Sequence, residues 1–135
     1  MAAVYPKIRE QLISWALNQN APAGLAFYVL GVDTDYTYNA AHVNLSSVAV
    51  GARITSEKLL TGVTYVNGIL DADDQRWTDL TPGDTLRGFV VYLKSGGGDT
   101  WLVCYLDTAS DTSIPQTIES TIGDIIFAAG GICKI

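Results

Sequence analysis

One histidine, two cysteines and eight lysines and arginines are all that this 135-residue chain offers to metal, redox and polyanion chemistry. The basic residues are scattered singly among fourteen acidic ones, for a net charge of −6 and a pI near 4.4. Neutralising a row of phosphates needs a patch of positive charge, so the balance argues against nucleic acid as a partner. It disfavours anionic membrane surfaces for the same reason. No apolar run approaches the ~20 residues of a spanning helix, the longest being Gly24 to Val32. The opening Met1-Ala2-Ala3-Val4-Tyr5-Pro6 has neither the charged nor the apolar region of a signal peptide, which predicts folding in a cytoplasm. His42, Cys104 and Cys133 show no metal-ligand spacing, so neither metal nor cofactor is expected. The cysteines read as small buried hydrophobes, with one bridge as the alternative.

What remains is an apolar, charge-poor composition, 48% hydrophobic and 16% charged, in a length suited to one domain. Such a chain removes roughly two-thirds of its unfolded surface from water and needs no metal or disulfide to fold. Only the start reads as a helix, over about residues 6–18. Pro6 suits a first helical position, and Ile8, Leu12, Trp15 and Ala16 recur at helical spacing. Lys7, Arg9, Glu10 and Gln11 fill the other face, and Asn18-Gln19-Asn20 ends the pattern. Its apolar stripe must dock on the chain's own sheet or on a neighbouring subunit.

Beyond Gly24 the period changes to that of strands. Leu25 to Val32 reads as a buried strand, Ala52 to Leu60 as a weak one, and Gln75 to Thr78 as a short one. Val63 to Val66 and Ile69-Leu70 flank Asn67-Gly68, the signature of a type I′ hairpin. Leu86 to Lys94 and Thr100 to Asp107 form a second hairpin around Ser95-Gly96-Gly97-Gly98-Asp99, apolar at nearly every position as in strands covered on both faces. Asp124 to Phe127 and Ile132 to Ile135 predict a last hairpin around Ala128-Ala129-Gly130-Gly131. The pattern is mainly β: an antiparallel sandwich or barrel of about seven or eight strands with one N-terminal helix, in a single domain over 1–135.

Asp33 to Gly51 has no periodicity, and a loop this long is either functional or held down by its own side chains. Tyr36 and Tyr38 alternate with polar residues there and read equally as interface anchors or as self-packing rings. His42 has no nucleophile elbow to serve, and the triple glycine joins strands without the Lys-Ser or Lys-Thr of a phosphate loop. Asp33 and Asp35, and Asp71, Asp73 and Asp74, read first as turn formers and second as calcium ligands; the second group lacks the spacing of a helix–loop–helix calcium motif. A pair of carboxylates cutting sugars has no support above background. No catalytic residue emerges.

A family pattern is carried by Tyr5-Pro6-Lys7 before a helix, Val32-Asp33-Thr34 leading into Asp35 to His42, and Val50-Gly51-Ala52-Arg53. It continues through Leu59 to Thr64, Gly68 to Asp74 and Tyr105-Leu106-Asp107-Thr108. In that order the segments resemble small virion structural proteins of tailed bacteriophages, from which the chain departs after Ile114-Pro115-Gln116. The resemblance implies a non-enzymatic particle component on the capsid exterior, made in the bacterial cytoplasm. Its partners would be the major capsid protein lattice and copies of itself, as a dimer or trimer. Connector or tail placement is one alternative. A glycan-binding module with Tyr36, Tyr38, Trp77 or Trp101 exposed as stacking platforms is another. Tyr36, Tyr38 and His42 in the loop, with Ile8, Leu12 and Trp15 on the helix, are the candidate interface residues.

Overall fold

The computed structural model describes residues 2–78, 80–107, 116–117, 125–127 and 132–135. The chain is mainly β and antiparallel, with one α-helix among the described residues. In order, it runs β1 (Ala2–Val4), α1 (Lys7–Asn18), β2 (Ala26–Val32), β3 (Lys58–Leu59), β4 (Thr64–Val66), β5 (Ile69–Asp71) and β6 (Gln75–Trp77). It continues with β7 (Thr85–Leu86), β8 (Gly88–Lys94), β9 (Thr100–Leu106), β10 (Gln116–Thr117), β11 (Ile125–Phe127) and β12 (Cys133–Lys134). Three of these strands have seven residues and the others two or three.

The long strands form the centre of a five-stranded sheet ordered β1-β9-β8-β2-β3. Their apolar residues at successive positions point to opposite faces, and both faces are covered. Val29, Phe89, Val91, Leu93 and Val103 join one buried cluster; Leu30, Val32, Val90, Tyr92 and Leu102 join the other. The β8–β9 register shifts between Val91 and Tyr92, where Val91 opposes Cys104 but Tyr92 opposes Leu102. Val103 is therefore the extra residue of a bulge, and it and Cys104 both face the first cluster. The Val103 carbonyl, displaced from the β8 ladder, accepts the Tyr5 N–H at 3.0 Å. Gly88 permits the close approach of the two strands, because a Cβ there would sit 2.7 Å from the Leu106 carbonyl oxygen.

The first face is covered by α1 and the shorter strands. Pro6 precedes the helix at φ −60°, and Gln19 ends it in the left-handed region with Asn20 N–H bonded to the Trp15 carbonyl at 3.3 Å. Ile8 and Trp15 are buried, and Trp15 meets Trp101 edge-on with ring centroids 4.9 Å apart. The helix thus docks on its own sheet. The Asn67-Gly68 turn has the expected pair of positive φ values, 53° and 79°. Trp77 of β6 is fully buried, stacks on Phe89 at 5.6 Å and donates from Nε1 to the Ser56 carbonyl at 2.7 Å.

Three expectations change. Ala52 to Leu60 supplies only β3 and an isolated bridge from Arg53 to Val32, because Val50–Ala52 is a 3-10 turn. The two last strands do not pair as a hairpin. β11 pairs with β6, and β12 with β5, since the short strands of the middle region offer unpaired edges to the returning chain. The Ala128 to Gly131 turn lies outside the described residues. Finally, β1 is a strand with no periodicity to announce it; three residues suffice because β9 supplies a preformed edge.

Candidate functional site

The segment from Asp33 to Arg53 holds three of the six candidates, Tyr36, Tyr38 and His42, and folds over the second face of the sheet. Its ends are drawn together by Asp33 N–H donating to the Ala52 carbonyl at 2.9 Å. Local turns begin it: Asp33 Oδ1 accepts the Asp35 N–H, and Asn39 Oδ1 accepts the Ala41 N–H, each at 2.8 Å. Two 3-10 turns, Leu45–Ser47 and Val50–Ala52, carry it back. Arg53 clamps them, donating from Nε and Nη2 to the Val48 carbonyl at 3.0 and 2.7 Å and from Nη2 to the Leu45 carbonyl at 2.9 Å. Strand β9 pins the middle: the Leu102 N–H donates to the Val43 carbonyl, and Thr100 Oγ1 accepts the Leu45 N–H.

Aromatic rings form its underside. The Tyr36 hydroxyl shares a hydrogen bond with Tyr5 at 2.5 Å and lies 3.1 Å from His42 Nδ1. Tyr38 donates to the Val4 carbonyl at 2.8 Å, and its ring packs 5.0 Å from Tyr5 and 6.1 Å from Tyr105. Burial raises the Tyr5 phenol pKa, and the hydrogen bond to Tyr36 raises it further. Burial also raises Tyr36 and Tyr105, against the lowering effect of the Tyr5 bond on Tyr36 and of Arg87 on Tyr105. In all three, burial favours the neutral phenol.

These contacts relocate the interface candidates. Tyr36 is 5% exposed, Ile8 2% and Trp15 8%, so all three pack inside the chain and cannot reach a partner's surface in this conformation. Tyr38 and His42 are half-buried, with the Tyr38 hydroxyl and His42 Nδ1 engaged, which makes them supports of the layer. Leu12 alone of the six reaches the surface as an exposed side chain. Of the aromatic residues considered as stacking platforms, Trp77 is buried as well, while Trp101 is half-buried against Trp15.

Asp71 and Asp73 hold local turns, Asp71 Oδ1 accepting the Ala72 N–H at 2.8 Å. Asp73 N–H donates to the Thr61 carbonyl at 2.8 Å, and Thr61 Oγ1 lies 3.3 Å from Asp73 Oδ2. Its carboxylate occupies the place of a Cβ at Gly62, which sits at φ +59°. Among the described residues, no group of three or more His, Cys, Asp or Glu is placed to hold a metal ion. Nor is any described helix long and apolar enough to cross a membrane.

Two surface features escaped the periodicity argument. Glu57 accepts hydrogen bonds from the Tyr92 hydroxyl and, at 2.5 Å, from Lys94 Nζ, which sits 4.6 Å above the Tyr28 ring. Burial works to raise the Glu57 pKa, but these bonds and the Lys94 and Arg53 charges hold it below the usual range. Burial and the same bond push Tyr92 up. The second feature is the outer row of α1, where Ile13 and Leu17 are 61% and 78% exposed. Its signal in the sequence is an i, i+4 apolar pair on the face that otherwise reads as polar.

No protein-family model, curated protein or solved structure matches the chain.

Proposed function

We propose that this chain is a structural protein of a tailed-bacteriophage particle, a decoration or cement protein that binds the major capsid protein lattice through the outer surface of the Asp33 to Arg53 layer. The particle assignment rests on the sequence resemblance; one structural observation carries the binding role. A stretch of some twenty residues that is almost free of regular structure is held flat by buried tyrosines and by the triple clamp of Arg53. A surface already ordered before docking loses little conformational entropy on binding, which suits a protein that must repeat one contact around a symmetric shell. Thr34, Asp35, Thr37, Asn39, Ala40, Ala41 and Val50 face outward on it. Val50 is 76% exposed and is its most prominent apolar group.

The test is to add purified chain to particles lacking it and to count bound copies by gel densitometry after sedimentation. Copies in the hundreds per particle, lost with Val50→Glu, are the expected result. A handful of copies at the portal or tail, or binding untouched by Val50→Glu, would refute the assignment.

A further inference from the structure

A second surface lies away from the tyrosine-backed layer. Among the described residues, ten large apolar side chains are exposed. Five of them, Leu12, Ile13, Leu17, Val63 and Tyr65, share one face made by the outer row of α1 and by β4 with the residue before it. The face is continuous. A groove bounded by Leu12, Val63 and Tyr65 runs into a second that shares Leu12 and Tyr65 and adds Ile13 and Arg9. That one adjoins a third, along α1, which shares Arg9 and Ile13 and ends at Leu17 and Asn18. All three residues of β4 are exposed at an outer edge of the sheet ordered β12-β5-β4.

We infer that this face is an isologous interface between two copies of the chain, with α1 of one copy packed antiparallel on α1 of the other. Area is the first argument. At exposures from 36% to 78%, the five side chains leave on the order of 400 Å² of apolar surface in water. That matches the largest patches of monomeric proteins, about 300–600 Å², which are commonly functional. Adding the polar rim of α1 and the β4 edge brings it toward the ~800 Å² per partner of a stable interface.

Charge is the second argument, and it selects the occupant. The chain carries a net −6, so two copies approach best where local charge is balanced. The face supplies that balance, bordered by one arginine, Arg9, and one glutamate, Glu10, the latter paired with Lys7 at 2.6 Å. The last turn of α1 contains no basic residue to complement its exposed carbonyls. Antiparallel pairing about an axis near Ile13 brings Arg9 of each copy to the Leu17 end of the other and supplies the missing positive charge. A strongly basic or acidic partner would find no matching field here. The pairing is independent of which particle, if any, the chain decorates.

Sedimentation equilibrium of the full chain from about 1 to 200 μM tests it. The wild type is expected to sediment at twice its 14.5 kDa mass, and Ile13→Glu or Leu17→Glu to weaken the dimer at least about tenfold. Arg9→Glu, which changes only an exposed charged side chain, should weaken it as well. Far-UV circular dichroism and the melting midpoint of the dilute protein should be unchanged, both apolar positions being exposed. Val50→Glu, on the other surface, should stay dimeric while losing particle binding. A wild type monomeric at 200 μM overturns the inference, as does a dimer insensitive to all three α1 substitutions. Monomeric wild type whose particle binding is lost with Leu17→Glu would assign this face to the capsid partner; the dimer then falls while the particle role stands.

Discussion

At the scale of single residues, buried hydroxyl groups decide more than charges do. Tyr36 sits between Tyr5 and His42, with the Tyr5 side chain fully buried and bonded through its hydroxyl to Tyr36. Removing the Tyr36 hydroxyl leaves that buried phenol without its partner, a loss of about 1–3 kcal/mol. Removing the Tyr5 hydroxyl deletes the fully buried polar group itself, and Tyr36 keeps its contact with His42, so about 1 kcal/mol is expected. Urea denaturation of Tyr36→Phe and Tyr5→Phe should therefore rank them in that order; equal costs would show that stranding the buried Tyr5 hydroxyl carries no extra penalty. The same residue shows why alternation with polar neighbours left the loop tyrosines open to two readings. Alternation marks a face, but whether that face meets a partner or the chain's own sheet is set by what lies beneath it.

Among the elements, the end of β8 is tied to the residue just ahead of β3 by the Glu57 cluster. Its carboxylate is held in the charged form by Lys94 and Tyr92, so its pKa in the folded chain lies below the unfolded value. A depressed carboxylate contributes stability that is present above the unfolded glutamate pKa, about 4.3, and is lost as pH falls through the folded value. Glu57→Gln should thus lower stability at pH 7 and lose that difference in acid, giving a flatter acid limb in denaturation midpoints measured from pH 7 to pH 3. An unchanged slope would remove Glu57 from the account. Periodicity located α1, β2, β8, β9 and the Asn67-Gly68 hairpin because each of those signals is local. It missed β1 and mispaired β11 and β12, since two- and three-residue strands carry too few side chains to show a period.

Considered as a whole, the molecule is a five-stranded sheet with both faces occupied: α1 and the short-stranded sheets on one, the Asp33 to Arg53 layer on the other. Four of its seven tyrosines, Tyr5, Tyr36, Tyr92 and Tyr105, have pKa values raised chiefly by burial. An acid whose neutral form is favoured by folding contributes stability below its unfolded pKa, about 10 for tyrosine, and loses it as pH rises beyond. In an alkaline titration followed by tyrosinate absorbance, the part of the rise that belongs to these four should therefore coincide with loss of far-UV circular dichroism. Full ionisation of these four before unfolding would contradict their burial.

The residues by themselves determined the antiparallel β class, the N-terminal helix, the main hairpin turns and the burial of Cys104, because turn chemistry and apolar runs act over a few neighbours. Tertiary structure decided the rest. Tyr36, Ile8 and Trp15 lie inside because a preformed sheet face was there to receive them, while Ile13 and Leu17 stay outside because α1 has only one side on which to dock. Exposure is a property of what covers a side chain, and that is settled between elements far apart in the sequence.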